Sequence, residues 1–282
     1  MGRADQPEGY REIILTQGNA LSPAVTLTGV TVSFDDKTII RGIDLEVPAG
    51  SYFGVVGSNG SGKTTLAYII TGILRPDEGS VDTHGLRVGM VLSNPANQIV
   101  SLVVEEDIAF GPENMGLSSK DILARISSSL GAIHGEYLRR ELTSSLSGGE
   151  LAKVAFAGQL ALDADVLVLD EGTVMLDPVS RANLLMTVKE LNRAYGKTII
   201  HISHRLDDLE CAETIVCIEN GKIAMRSNGV LGLVRDSSRL DISGIEPGER
   251  LIYRSLLADM GIHDHDLKKA TGILALKILM NV

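Results

Sequence analysis

The sequence predicts an α/β fold built on a largely parallel sheet. Three observations carry this. "RVGMVLS" at 87–93 and "DVLVLD" at 165–170 are short continuous apolar runs, the composition of strands buried on both faces. Segments with helical spacing alternate with such runs. A glycine-rich loop at 57–62 also stands between an apolar run and a helical segment, so a buried strand leads straight into a helix.

In chain order, residues 1–23 form a polar lead-in ending at Pro23. "VTLTGVTVSF" at 25–34 alternates apolar and polar residues and is rich in β-branched side chains, a half-buried strand. "GIDLEVPAGSYFGVVG" at 42–57 gives two more strands around a Pro-Ala-Gly turn. Apolar spacing over 63–74 predicts a helix. The stretch 97–158 is mostly helical and polar and breaks the α/β rhythm, so a separate helical lobe is expected there. "DPVSRANLLMTVKELNRAYG" at 177–196 predicts a helix with Asp177 as N-cap, Pro178 at the first helical position and Gly196 at its end. "KTIIHIS" at 197–203 and "TIVCIENGKIAM" at 214–225 are further strands, the latter a hairpin through Asn220-Gly221. The expected organisation is a lead-in (1–23), a large α/β unit (24–235) and a small C-terminal extension (236–282). Its last residues, "ATGILALKILMNV", have the spacing of an amphipathic helix.

Composition narrows the function. The formal net charge is −10 and hydrophobic residues make up 44% of the chain. Phosphate backbones demand clustered Lys and Arg, so an acidic balance argues against a general nucleic-acid binder. The two cysteines, Cys211 and Cys217, have neither disulfide-framework nor zinc-ligand spacing and are expected as free thiols. No signal peptide is evident at the N-terminus, and no run reaches the about 18 apolar residues of a membrane span, so any link to a membrane is expected through another protein.

The chemistry starts at "GSNGSGKT", residues 57–64, a full G-x-x-x-x-G-K-[ST] phosphate loop. Gly57, Gly60 and Gly62 let backbone N–H groups turn inward around phosphate oxygens, with Ser58, Asn59 and Ser61 between them. The helix that opens near Lys63 points its positive end at the same anion. Lys63 reaches the β- and γ-phosphates, Thr64 offers a hydroxyl to Mg²⁺, and Thr65 follows. At the end of "DVLVLD", Asp170 is placed to hold Mg²⁺ and Glu171 to polarise an attacking water.

"SLSGGE" at 145–150 lies between these two motifs and resembles the signature of the ATP-binding cassette (ABC) family, usually written LSGGQ. Further motifs follow in the family's order. Phe34 falls where the family stacks an aromatic ring on adenine, "VMLDP" at 174–178 resembles the D-loop with Asp177 at the dimer contact, and "IHISHRLDD" at 200–208 places His204 as the switch histidine. The resemblance spans about 25–235. Within the family, "NPANQIVSLVVEEDIAFGPENMGL" at 94–117 and, more weakly, "DISGIEPGERLIYRSLLADMGI" at 241–262 are similar to the ATPases of energy-coupling factor transporters, which drive uptake of vitamins, cobalt or nickel.

The resemblance implies a P-loop NTPase fold with a RecA-like parallel core, an antiparallel β lobe and a helical lobe, with ATP and Mg²⁺ as ligands. It implies that two cassettes, alike or different, meet head to tail. Ser147, Gly148 and Gly149 of one would then cover the ATP held by the other, with Glu171 activating water and His204 holding the γ-phosphate. It further implies an integral membrane partner and a peripheral place at the cytoplasmic face of the membrane.

Two positions depart from the pattern. Ser93 stands where the family has the Q-loop glutamine, and Gln98 reads as a separate position. Glu150 replaces the last glutamine of the signature, with Lys153 beyond it where arginine is common. Weakened hydrolysis is therefore expected, with Ser93→Gln raising ATP turnover in the assembled complex. Two other readings are a soluble cassette acting on DNA or ribosomes and a weakly hydrolysing regulatory subunit. Lys63 and Ser147 lie too close for the long coiled coil of the DNA-repair cassettes, and intact Glu171 and His204 oppose the regulatory reading. Glu105, Glu106 and Asp107 fit either a packing role or a solvated acidic face. "HDHD" at 263–266 reads more readily as a surface turn than as a metal site.

Overall fold

Alternation along the strands decides what each face of the molecule covers. A computed structural model describes residues 22–171 and 176–235. The polar lead-in, the start of the D-loop motif at 172–175, and the extension with its "HDHD" and terminal apolar segment lie outside the described residues.

The first sheet is antiparallel. β1 (Pro23–Phe34) and β2 (Lys37–Pro48) form a long hairpin in which Phe34 pairs with Lys37, and β4 (Glu78–Asp82) adds to the other edge of β1. The second sheet holds β3 (Tyr52–Val56), β5 (Val88–Val91), β6 (Val166–Asp170), β7 (Thr198–Ile202), β8 (Thr214–Glu219) and β9 (Lys222–Ser227). Its order is β5-β6-β7-β3-β8-β9, parallel throughout except for β9. Non-sequential neighbours joined through helices make this an α/β P-loop NTPase fold.

Successive side chains of the parallel strands enter two different cores, as a two-residue period requires. Phe53 and Val55 of β3, with Val166 and Val168 of β6, face α1 (Lys63–Ile70) and the antiparallel sheet. Tyr52, Val56, Leu167 and Leu169 face the other way. There they meet α4 (Gly148–Ala161), α5 (Pro178–Arg193) and α6 (Gly229–Arg235), together with α2 (Val104–Asn114) and α3 (Ser119–Ala132). Every residue of β3, β6 and β7 is buried, which is why these segments are mostly apolar, with His201 a buried exception in β7.

Three local outcomes differ from or settle the sequence reading. The helix expected over 63–74 stops at Ile70, because Gly72 takes a left-handed φ of 73° and Leu74 N–H closes back on Tyr68 O. In α5 the expected cap is formed: Asp177 Oδ1 accepts from Val179 N–H and Ser180 N–H at 3.0 and 3.1 Å. Two members of the acidic run have partners. Glu105 pairs with Arg139 at 2.6 Å, and Asp107 Oδ1 accepts from the N–H groups of Val100 and Ser101 at 2.7 and 2.9 Å, while Glu106 is exposed. The Arg139 guanidinium holds the Glu105 carboxyl below its ordinary range.

Candidate active site

The phosphate loop runs from the end of β3 to the start of α1 and is shaped by close backbone contacts. A Cβ on Gly57 would come within 2.3 Å of Ile218 O, and one on Gly62 within 2.7 Å of the Ile40 side chain. Both positions therefore need glycine. Gly62 is also the N-cap of α1 and carries no side-chain acceptor, so the first N–H groups of that helix keep their donors for another anion. Lys63 is 94% buried by its 6% exposure, and its Nζ donates to Gly57 O and Ser58 O at 2.9 and 3.0 Å. The ammonium thus lies inside the curve of the loop.

Around this loop lies a cavity of about 420 Å³ lined by Phe34, Lys37, Ile39, Asn59, Gly60, Gly62, Lys63, Thr64, Thr65 and Glu171. Eight of the residues expected at a nucleotide site therefore line one cavity. Phe34, at the tip of the first hairpin, is half exposed and forms one wall. Ser61 is buried behind the loop, and its Oγ has no hydrogen-bond partner.

The carboxylates arrive on β6. Asp170 ends the strand, is hydrogen bonded to the Thr64 hydroxyl, and keeps a buried Oδ1 with no partner. Burial pushes its pKa up, with nearby Glu171 adding to the shift and Thr64 and Lys63 opposing it. Glu171 follows in a left-handed conformation (φ 52°) that a non-glycine residue rarely takes, with its N–H on Ile202 O at 3.0 Å. That turn aims the carboxylate at the loop: Glu171 Oε1 is 3.8 Å from Lys63 Nζ and 3.6 Å from His204 Nδ1. Lysine, glutamate and histidine from three separate segments thus converge, with Lys63 and Glu171 on the cavity wall and His204 against Glu171.

The comparisons with known proteins agree with this geometry. The family described as ABC transporter matches residues 40–174. The energy-coupling factor transporter ATP-binding protein EcfA1 of Symbiobacterium thermophilum is 44% identical over 202 residues, which cover 67% of this chain and 70% of the relative. The chain belongs to the ABC transporter family of ATP-binding proteins. The cobalt import ATP-binding protein CbiO of Syntrophus aciditrophicus is 36% identical over 241 residues, covering 80% of this chain and 85% of that one. Among solved structures, cbiO1 from Clostridium perfringens, part of the ABC transporter complex cbiONQ, superposes with a TM-score of 0.70 at 25% identity, covering 78% of this chain and 95% of that one. The chain is accordingly an ABC-type ATPase.

Nine of the expected residues do not line the cavity: Gly57, Ser58, Ser61, Asp170 and His204, which adjoin residues that do, and Ser147, Gly148, Gly149 and Asp177. Ser147, Gly148 and Gly149 open α4, and Asp177 caps α5 beside them. The two helix starts touch through glycine: a Cβ on Gly149 would lie 2.8 Å from Ser180 Cβ, and one on Gly148 3.3 Å from Leu176. Ser147 and Gly148 are exposed. Ser147 and Glu150 form a capping box: Ser147 Oγ accepts from Glu150 N–H, and Glu150 Oε2 accepts from Ser147 N–H and Oγ–H at 2.9 and 2.7 Å. Those bonds hold the Glu150 carboxyl below its ordinary pKa, so it is charged at the helix start.

The Q-loop departure is also resolved in position. Ser93 is exposed just after β5. Gln98 is not free to replace a glutamine there. Its Oε1 accepts from Leu92 N–H and its Nε2 donates to Met90 O, both at 2.8 Å, so the amide extends the β5 ladder.

Sequence reasoning missed three contributors. Lys37 and Ile39 line the cavity because the first hairpin folds over it. Gly221, at the Asn-Gly turn between β8 and β9, donates its N–H to Ser61 O at 3.1 Å, and a Cβ there would meet Ile39 O at 2.0 Å. The only sequence signal for this last role was the turn dipeptide itself.

Proposed function

We propose that this chain is the motor subunit of an energy-coupling factor type importer, hydrolysing ATP to drive uptake of a small solute such as a vitamin or metal ion through an integral membrane partner. The observation that carries the reading is the approach of Lys63, Glu171 and His204 to one another at the mouth of the phosphate loop. The adenine stacks on Phe34, and the triphosphate lies along the backbone of 57–62 and the bare start of α1, with Thr65 alongside. Lys63 leaves the loop carbonyls and balances charge building on the γ-phosphate. Glu171 orients the attacking water and accepts its proton, and His204 keeps phosphate and water in register.

Thr64 and the unpartnered Oδ1 of Asp170 suit a hard divalent cation such as Mg²⁺, since both are oxygen donors at one edge of the cavity. Thr64 and Asp170 would hold such an ion, which would supply positive charge against that of the phosphates.

The reading extends to assembly. Ser147 and Gly148 are exposed, and we take them, with Gly149 and Asp177, as the cover for ATP on a second cassette, either another copy or a sister ATPase. Closure and reopening of such a pair would pass through α2–α4 to the membrane subunit. No helix among the described residues is long and apolar enough to cross a membrane, so this chain would sit peripherally at the cytoplasmic face, held there by that partner. Residues 24–235 would be the ATPase unit and 236–282 an appended piece.

Purification from native membranes through a tag on this chain tests the reading. Recovery of a small integral membrane protein with a second cassette supports it, and a third, solute-binding subunit would identify the cargo. Recovery with ribosomes or DNA-repair proteins and no membrane partner overturns it.

A further inference from the structure

The buried carboxylate of Asp208 joins the segment that carries His204 to the segment that carries Asp177. Its side chain is 0% exposed. A carboxylate that deep is costly unless every lone pair finds a donor. Arg181 Nε donates to Oδ1 at 2.6 Å, and Arg181 Nη2 bonds the same oxygen. The other oxygen, Oδ2, accepts from Ser203 Oγ at 3.1 Å.

Each end of that bridge leads to the active site. Ser203 directly precedes His204 and is fixed at further atoms: its N–H donates to Val55 O at 3.1 Å, and its Oγ accepts from Arg205 N–H at 3.0 Å. Asp208 N–H in turn bonds Arg205 O at 3.2 Å, closing a tight loop around the histidine. The peptides flanking His204 are therefore tied down, while its imidazole stays 43% exposed beside Glu171. On the other side, Arg181 N–H bonds Asp177 O at 2.9 Å, one turn into α5. The contacts run without a break from the α5 N-cap to the histidine.

We propose that Asp208 is the positioning residue for His204 and that, through Arg181, it gears the placement of that histidine to the seating of the α5 N-terminus. The inference rests on the reading of His204 as the group that holds the γ-phosphate and water in register. Asp208 touches neither. It acts by fixing where the His204 backbone can be, and a displacement of about 1 Å at such a group costs on the order of 100-fold in rate.

Single-turnover ATP hydrolysis by the full chain tests this, with Asp208→Asn and Ser203→Ala each made alone and each combined with His204→Ala. Ser203→Ala removes the two hydroxyl bonds, to Asp208 Oδ2 and from Arg205 N–H, and leaves the Arg181–Asp208 pair intact, so it decides the question if Asp208→Asn does not fold. The expected result is a loss of about 10- to 100-fold in rate for each single variant, with the KM for ATP within about two-fold of the parent. In the His204→Ala background neither change should slow the reaction further. Losses that multiply in that background would show a purely structural network and overturn the proposal. A His204→Ala variant that hydrolyses at the parental rate would overturn the reading of His204 itself, and the proposal with it.

Discussion

Two helix starts in this molecule face phosphate chemistry, and they are finished in opposite ways. α1 begins at Gly62 with no side-chain acceptor, whereas α4 begins at Ser147 inside a complete capping box. The first end leaves its donors in hand, under a hairpin wall and against a buried lysine. The second has the N–H and hydroxyl of Ser147 bonded to its own Glu150 carboxylate and lies on the surface. One is a site prepared within a single chain. The other, in the proposed pair, would offer its Ser147 hydroxyl and N–H to a γ-phosphate only in exchange for their bonds to Glu150. In the proposed pair, nucleotide binding and cassette closure are therefore separable events, the first preorganised and the second in exchange with an internal bond.

This contrast can be broken at the prepared end first. Lys63→Ala is expected to have the largest effect, a loss of about 10²- to 10³-fold or more in ATP turnover, measured by phosphate release, because a buried cation at the phosphates is removed. At the exchanging end, Ser147→Ala is expected to cost about 10-fold in turnover and to weaken ATP-driven pairing in sedimentation, with nucleotide affinity of the single cassette unchanged. The same change removes a cap worth about 1 kcal/mol, visible as a small drop in thermal stability.

How much of this could be read from the sequence depends on whether the determinant was local. The phosphate loop was legible because glycine spacing and an adjoining buried strand are contiguous in the chain. The parallel strands were legible because burial on both faces keeps them mostly apolar: "VLVLD" has no polar residue before Asp170, and "TIIHI" holds only Thr198 and His201. β4 was not, since "EGSVD" is largely exposed and becomes a strand only by pairing with β1. Lys37 and Ile39 were missed for a related reason: the hairpin that brings them over the cavity is a tertiary arrangement. The bond between Asp208 and Arg181 spans 27 positions and left no pattern to find.

A third prediction sharpens the prepared end through pH. Burial raises the Asp170 pKa, so the carboxylate needed for a divalent ion is lost on acidification at a higher pH than an ordinary aspartate would be. Mg²⁺ affinity for the nucleotide-loaded protein, followed by titration, should therefore fall with decreasing pH starting above the usual aspartate range, and Asp170→Asn should flatten the profile. In the metal-free protein the sign reverses. The stability owed to protonated Asp170 is full below the unfolded aspartate value and is lost as pH rises through the raised one.

The smallest effect is expected from Glu150→Gln. Glutamine keeps the reach of the capping box and removes one negative charge from the α4 start. ATP-driven pairing should tighten by a few-fold, most clearly at low salt, where charge repulsion is least screened. Equal pairing for the two proteins across salt concentrations would mean that the phosphate does not approach Glu150 at all.

The turn at Asn220-Gly221 carries a lesson for anyone modifying this protein. By ordinary criteria a two-residue hairpin tip is a permissive place for a tag, a fluorophore or an inserted peptide. Here the tip is wedged under the nucleotide loop, with Gly221 bonded to both Ser61 and Arg41 and no room for even a methyl group against Ile39. An insertion there would be felt as lost ATP affinity, though no residue of the hairpin lines the cavity.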